Sequence, residues 1–234
     1  GFRAWAQFKV AKVLRNVLPD RAWFALRKWV RGGTPIHASR QSGKPQPPFV
    51  TILLSPKHPR ALIDAFFSLV HQTYTGWELI LIERPGQLHG VRRAGRDFSR
   101  LDERVRVMRA AGDLEEAVDA AVHSARGEFI IQISEGSVLA FNAVAELFTL
   151  IRQRPTTSMV IADFERAATE DGPYMRCHTY CPGELVAQAH SAFVARRRSA
   201  MCGEPMPLGS DLAYIPNVLA RHIGDLDGED LRSL

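Results

Sequence analysis

Short apolar runs alternate with stretches of helical spacing from residue 49 to residue 165. Phe49-Val50-Thr51-Ile52-Leu53-Leu54 is almost continuously apolar, the pattern of a parallel strand buried on both faces. Over residues 61–74, Leu62, Ile63, Phe66, Phe67, Leu69 and Val70 recur at helical intervals. Residues 77–82 predict a second strand, 105–108 a short alternating third, 114–125 an Ala- and Glu-rich helix, and 129–133 a fourth strand. That fourth strand runs into a polar turn, Ser134-Glu135-Gly136-Ser137. The spacing then predicts a helix over 141–152, with Pro155 past its end, and a fifth strand over 159–162. Beyond residue 165 the pattern weakens. It predicts a short helix at 184–188, a short strand at 192–195, an edge strand interrupted by Pro216 at 214–219, and a frayed acidic tail at 225–234.

Strand and helix in this alternation predict an α/β fold with a mostly parallel sheet flanked by helices. Ligands of such sheets bind where the strands end at their carboxyl edge. Those ends are Ser55-Pro56-Lys57-His58, Glu83-Arg84-Pro85-Gly86, Arg109-Ala110-Ala111-Gly112, the turn at 134–137, and Asp163-Phe164-Glu165.

Three segments divide the chain: a basic amphipathic helical arm at 1–31, a Pro/Gly/Ser-rich linker at 32–48, and the α/β domain at 49–234. In the arm, Phe2, Trp5, Phe8, Val10, Val13, Leu14 and Leu18 recur at near-helical spacing with cations between them. Such a helix lies on an anionic membrane surface, docks on a protein partner, or packs on its own domain with a solvated basic face, and composition does not separate these. Residues 1–40 hold nine Lys and Arg against Asp20 alone, so the formal net charge of +5 conceals a remainder near −3. The positive character therefore belongs to the arm, and with no recognition motif in the domain, nucleic acid is not an expected partner.

No apolar run reaches the ~20 residues of a membrane span, and cations interrupt the N-terminal apolar residues in a way unlike a signal peptide. Three cysteines are an odd count and point to a reducing compartment. The expected location is cytoplasmic, peripheral on the inner face of a membrane where the arm docks there. Gly1 in place of an initiator Met reads as the start of a piece of a longer protein. Cys177 and Cys181 have a spacing compatible with zinc, but no second close pair follows, and unpaired thiols are the better reading.

From residue 49 to about 222 the chain resembles the family 2 glycosyltransferases with the GT-A fold, of the kind that build bacterial surface polysaccharides. Val50-Thr51-Ile52-Leu53-Leu54-Ser55-Pro56 is similar to the family's opening strand. Leu69-Val70-His71-Gln72-Thr73-Tyr74-Thr75-Gly76-Trp77-Glu78-Leu79-Ile80 carries nearly all of its Gln-Thr-Tyr-x-x-Trp-Glu-Leu segment, and Tyr214-Ile215-Pro216-Asn217-Val218-Leu219 resembles its Ile-Pro-x-Val-Leu. The resemblance implies a nucleotide-sugar partner, UDP- or dTDP-linked, and a cleft built by Ser55, Lys57, Glu83, Arg84, Ser134 and Glu135.

This chain departs from the family where the chemistry would lie. The family's Asp-Asp-Gly-Ser is here Glu83-Arg84-Pro85-Gly86. Its metal motif, Asp-x-Asp-Asp, aligns with Ser134-Glu135-Gly136-Ser137, which leaves Glu135 as the one candidate metal ligand. No cofactor is implied unless that carboxylate suffices for Mg²⁺ or Mn²⁺. The helix that carries the family's acidic pair has no room between Arg198 and Tyr214, so the candidate bases are Asp163, Glu165 and Asp211. Arg196-Arg197-Arg198, with Lys57 and Arg84, is a candidate phosphate contact.

These losses predict a degenerate transferase domain, a pseudoenzyme or a non-catalytic module of a larger enzyme. An active, metal-independent transferase and a docking module working through residues 2–31 are the two alternatives.

Overall fold

The computed structural model describes residues 49–110, 112–133, 136–167, 175–177, 180–181, 184–185, 193–203 and 212–223. The arm, the linker, the turn residues Ser134 and Glu135, Asp211 and the acidic tail lie outside them. So do the side chains of Cys177 and Cys181.

The elements follow the alternation in the sequence: β1 (Val50–Leu54), α1 (Pro59–Val70), β2 (Trp77–Glu83), α2 (His89–Leu101), β3 (Val105–Arg109), α3 (Leu114–Ser124), β4 (Phe129–Ile133), β5 (Ser137–Leu139), α4 (Ala143–Gln153) and β6 (Met159–Ala167). Then come β7 (Met175–Cys177), β8 (Tyr180–Cys181), β9 (Glu184–Leu185), β10 (Phe193–Arg197), α5 (Arg198–Met201) and β11 (Leu212–Ile223). The main sheet runs in the order β3-β2-β1-β4-β10-β6-β11-β5, with β7 paired to β6. β3, β2, β1 and β4 are parallel. β10 is antiparallel to both β4 and β6, and so turns the mixed half of the sheet back against the parallel half.

Side chains alternate across each strand, so every buried strand feeds two cores. Ile52, Leu54, Leu79, Leu81, Phe129 and Ile131 point to the layer covered by α1, α2 and α4. Leu53, Ile80, Ile82 and Ile130 point to the layer covered by Ala117, Ala121 and Val122 of α3. That two-sided burial is why β1 and β2 are apolar apart from the hydrogen-bonded pair Thr51 and Glu78 and the terminal Glu83. Phe66 of α1 stacks on Phe98 of α2 with ring centroids 4.1 Å apart. No helix among the described residues is long and apolar enough to cross a membrane.

Three expectations change. Helix α2 has no counterpart in the sequence reading, because Val91, Ala94 and Phe98 are set among four arginines and two glycines that obscure the period. β11 as a whole runs between β6 and β5, but β5 pairs only with Ala220, Arg221 and His222, so residues 214–218 pair on the β6 side alone among the described residues, as expected of an edge segment. Pro216 sits within a register shift between Ile215 and Val218, where the ladder needs no N–H from it. Residues 184–185, expected to open a helix, pair as β9 with β8, because a two-residue antiparallel bridge there holds the backbone extended. A short strand, β5, also intervenes between the polar turn and α4, paired antiparallel to β11.

Candidate functional site

The carboxyl edge of the parallel strands brings Ser55, Lys57, Glu83 and Arg84 together. Glu83 ends β2 with its side chain only 10% exposed, and its carboxylate lies between two guanidinium groups. Arg109 Nε, from its register partner on β3, is 3.4 Å away, and Arg92 Nε, from α2, is 3.7 Å away. Next comes a tight turn in which Gln87 N–H donates to the Arg84 carbonyl. Pro85 and a left-handed Gly86 (φ +75°) occupy its centre, the residue pattern of a type II turn. The Gln87 side-chain amide donates to the Pro56 carbonyl and ties this turn across the end of β1. The space left between Pro56, Glu83, Gln87, Arg92 and Val107 is about 10 Å³, room for one water. Ser55 Oγ is buried at the end of β1 without a hydrogen-bond partner.

Asp163 belongs to the same edge but is distant along it. Residues Leu54 and Ile133, Ile131 and Ala195, and Ala195 and Val160 are register partners, which sets Asp163 level with Ser55. Three strand spacings, about 14 Å, separate β6 from β1. Asp163 is fully buried and accepts a 2.5 Å hydrogen bond from the Tyr214 hydroxyl of β11. Glu165, two residues on, shares its face of β6 and is half-buried.

The structure does not bring Arg196, Arg197 and Arg198 to this edge. β10 is antiparallel, so Arg197 pairs with Phe129 at the amino end of β4. Its guanidinium donates to the Pro155 and Thr157 carbonyls at 2.7 and 3.0 Å, bonds Glu128, and lies 4.8 Å from the centre of the Phe129 ring. That arginine is committed to the frame. Arg92 and Arg109 are the site residues that the sequence reading missed as partners of Glu83. An acid at a strand end, followed by an arginine-rich amphipathic stretch, was the available signal.

The segment most similar to the family also serves the frame. Glu78 is buried and accepts from Thr51 Oγ1 (2.7 Å) and the Arg126 N–H (2.6 Å), with Arg106 at 3.2 Å. Thr51 Oγ1 in turn accepts the Gly127 N–H at 2.9 Å. Gln72, also buried, donates to the carbonyls of Ala140 and Ser68 and accepts the Val144 N–H, which joins α1 to the start of α4. Tyr74 stacks on Phe148 at 4.4 Å. Burial raises its pKa, and the Arg152 charge partly offsets that.

Mg²⁺ and Mn²⁺ take several oxygen ligands, mostly carboxylates. Among the described residues no group of three His, Cys, Asp or Glu is placed to hold an ion. Glu83 faces cations and Asp163 is enclosed, so the described carboxylates do not fit a divalent metal.

No family model matches the chain. Over 148 residues it is 26% identical to the uncharacterized protein y4gI of Sinorhizobium fredii (strain NBRC 101917 / NGR234). The match covers 62% of this chain and 16% of that protein, so the chain spans about one sixth of its relative's length. Among solved structures, S. aureus TarS 1-349 in complex with UDP superposes with a TM-score of 0.61 at 10% identity, covering 78% of this chain and 62% of that one. The UDP-GlcNAc complex of TarS 1-349 gives 0.61 at 11%, covering 80% and 61%. GalNAc-T7 with UDP, GalNAc and Mn²⁺ gives 0.57 at 15%, covering 80% and 45%. At such identities the likeness concerns the backbone, and with the strand order above it leads to one statement: this chain has the GT-A glycosyltransferase fold.

Proposed function

We propose that the chain is a glycosyltransferase domain of the family 2 kind, from bacterial surface-glycan assembly, that no longer carries out metal-dependent sugar transfer and serves as a non-catalytic module of a larger protein. The observation that carries this reading is Glu83. It stands at the strand end where the family places nucleotide-binding acids, yet its carboxylate is neutralised by Arg92 and Arg109, and the space beside it admits about one water. Inverting transfer needs a group to neutralise the leaving diphosphate, a base within ~2.6–3.2 Å of the acceptor hydroxyl, and a pocket for the nucleoside. The fold alone does not supply these.

Titration calorimetry and transfer assays with UDP- and dTDP-sugars, with and without Mn²⁺, test the proposal. We expect neither turnover nor donor hydrolysis. Micromolar donor binding accompanied by measurable transfer would overturn it.

A second reading keeps activity without metal. It is favoured by the cationic carboxyl edge, where Arg84, Arg92 and Arg109 outnumber Glu83 and Ser55 Oγ lacks a partner. Lys57 and these arginines would face the diphosphate, and Glu165 or Asp211 would take the acceptor proton, Asp163 being fully buried against the Tyr214 hydroxyl. Turnover that survives EDTA supports it, and turnover abolished by EDTA excludes it. A third reading makes the protein a docking module that works through residues 2–31 on an anionic membrane face or on a partner. Deleting them is expected to lower vesicle or partner association.

A further inference from the structure

The charge of the α/β domain is not diffuse. Residues 84–109 contain eight arginines against Asp97, Asp102 and Glu103, whereas residues 110–234 hold ten Lys and Arg against eighteen acids. The expectation that positive character belongs to the arm alone is thereby corrected, because the fold sets four of these arginines on one helix face. Helix α2 buries Val91, Ala94, Gly95 and Phe98 and turns Arg92, Arg93, Arg96 and Arg100 outward at helical spacing. Their side chains are open to solvent, 52% for Arg93 and 77% for Arg100. Compensation is thin. Asp97 is shared at 3.9 and 3.8 Å by Arg93 and Arg100, and Glu83 by Arg92 and Arg109. Arg84 and Arg96 make no ion pair among the described residues. Two carboxylates thus face six guanidinium groups. Just before the first turn of the helix, Leu88 stands 52% exposed.

We propose that this arginine face of α2, with Leu88, is a docking surface for an anionic phospholipid bilayer. Guanidinium groups pair bidentately with lipid phosphates, and each basic residue near an anionic surface strengthens binding. Leu88 provides an apolar contact that a purely polyanionic partner would not use. The face presents no Phe, Tyr or Trp for base stacking; its one ring is the exposed imidazole of His89 in the first turn. Stable membrane attachment takes two weak signals, and α2 supplies one that is independent of residues 2–31. The inference does not depend on whether the domain transfers sugar.

Sedimentation with phosphatidylglycerol/phosphatidylcholine vesicles, pure phosphatidylcholine vesicles and single-stranded RNA tests it on the full chain. The wild type is expected to bind the anionic vesicles and to be released by salt. The triple variant R93Q/R96Q/R100Q, which touches no residue of the carboxyl-edge site, is expected to lose at least about tenfold in vesicle partition with an unchanged circular-dichroism spectrum. Leu88→Ser is expected to lose a few-fold at constant salt dependence. Equal binding of the triple variant and the wild type would overturn the proposal by placing attachment elsewhere. Retention on RNA in preference to anionic vesicles would overturn it by identifying a different polyanion.

Discussion

Gln72 makes three hydrogen bonds from a buried amide, two to carbonyls and one from the Val144 N–H. Gln72→Ala leaves these groups unpaired in the core, and a loss of about 2–4 kcal/mol in urea unfolding is expected. Gly127 answers to a different constraint. A Cβ there would lie 2.5 Å from the Thr51 backbone nitrogen and 2.6 Å from the Val50 carbonyl carbon. Neither can swing aside, so Gly127→Ala must push β1 and β4 apart, at about 1–3 kcal/mol by the same measurement. Tyr74 gives a pH signature. Its folded-state pKa is raised by burial above the ordinary ~10. The stability it contributes is fully present below ~10 and is lost as pH rises through the higher folded value. Wild type should therefore lose stability above about pH 10 more steeply than Tyr74→Phe does in parallel urea titrations. Gln72 and Tyr74 belong to the stretch with the strongest family likeness, and it was legible in the sequence because its role is local: it joins α1 to α4. What that stretch did not reveal is that its acid, Glu78, holds backbone and an arginine in place and takes no part in the carboxyl-edge site.

At the scale of elements, the central strands were legible because burial on both faces makes them predominantly apolar, whereas the short strands β5, β7, β8 and β9 form no such run. Helix α2 was not legible. Its buried stripe is only Val91, Ala94, Gly95 and Phe98, and the remaining positions are polar because they face water. The stripe nevertheless matters. Phe98 is fully buried and stacked on Phe66. Phe98→Ala is expected to cost about 3–5 kcal/mol by denaturant unfolding and to loosen Arg92 from Glu83. β11 shows the converse problem. Its Pro216 argued for an edge, and residues 214–218 do pair on the β6 side alone among the described residues; what stayed hidden is the register shift around the proline and the pairing of Ala220, Arg221 and His222 with β5. A bulge is a property of two strands together and leaves no mark on one of them.

Across the whole molecule, β10 and its Arg197 hold the parallel half of the sheet to the mixed half. Arg197 spans Glu128 before β4 and the Pro155 and Thr157 carbonyls before β6. Arg197→Lys retains the charge but lacks the planar fork that reaches these acceptors. A loss of about 1–3 kcal/mol is expected, seen as a lower urea midpoint with an unchanged slope. The sequence by itself determined the α/β order, the identities of the long strands, the likeness to a GT-A transferase and the missing carboxylates, because periodicity and residue type are properties of neighbours along the chain. Only the tertiary structure decided the rest. It set Arg92 and Arg109 on either side of Glu83, carried Arg196–Arg198 to the opposite edge, enclosed Asp163 beneath Tyr214, and gathered the arginines of α2 onto one face. Each of these depends on strand direction and register, which join residues tens of positions apart, and no local pattern encodes which of many cations will meet a given carboxylate.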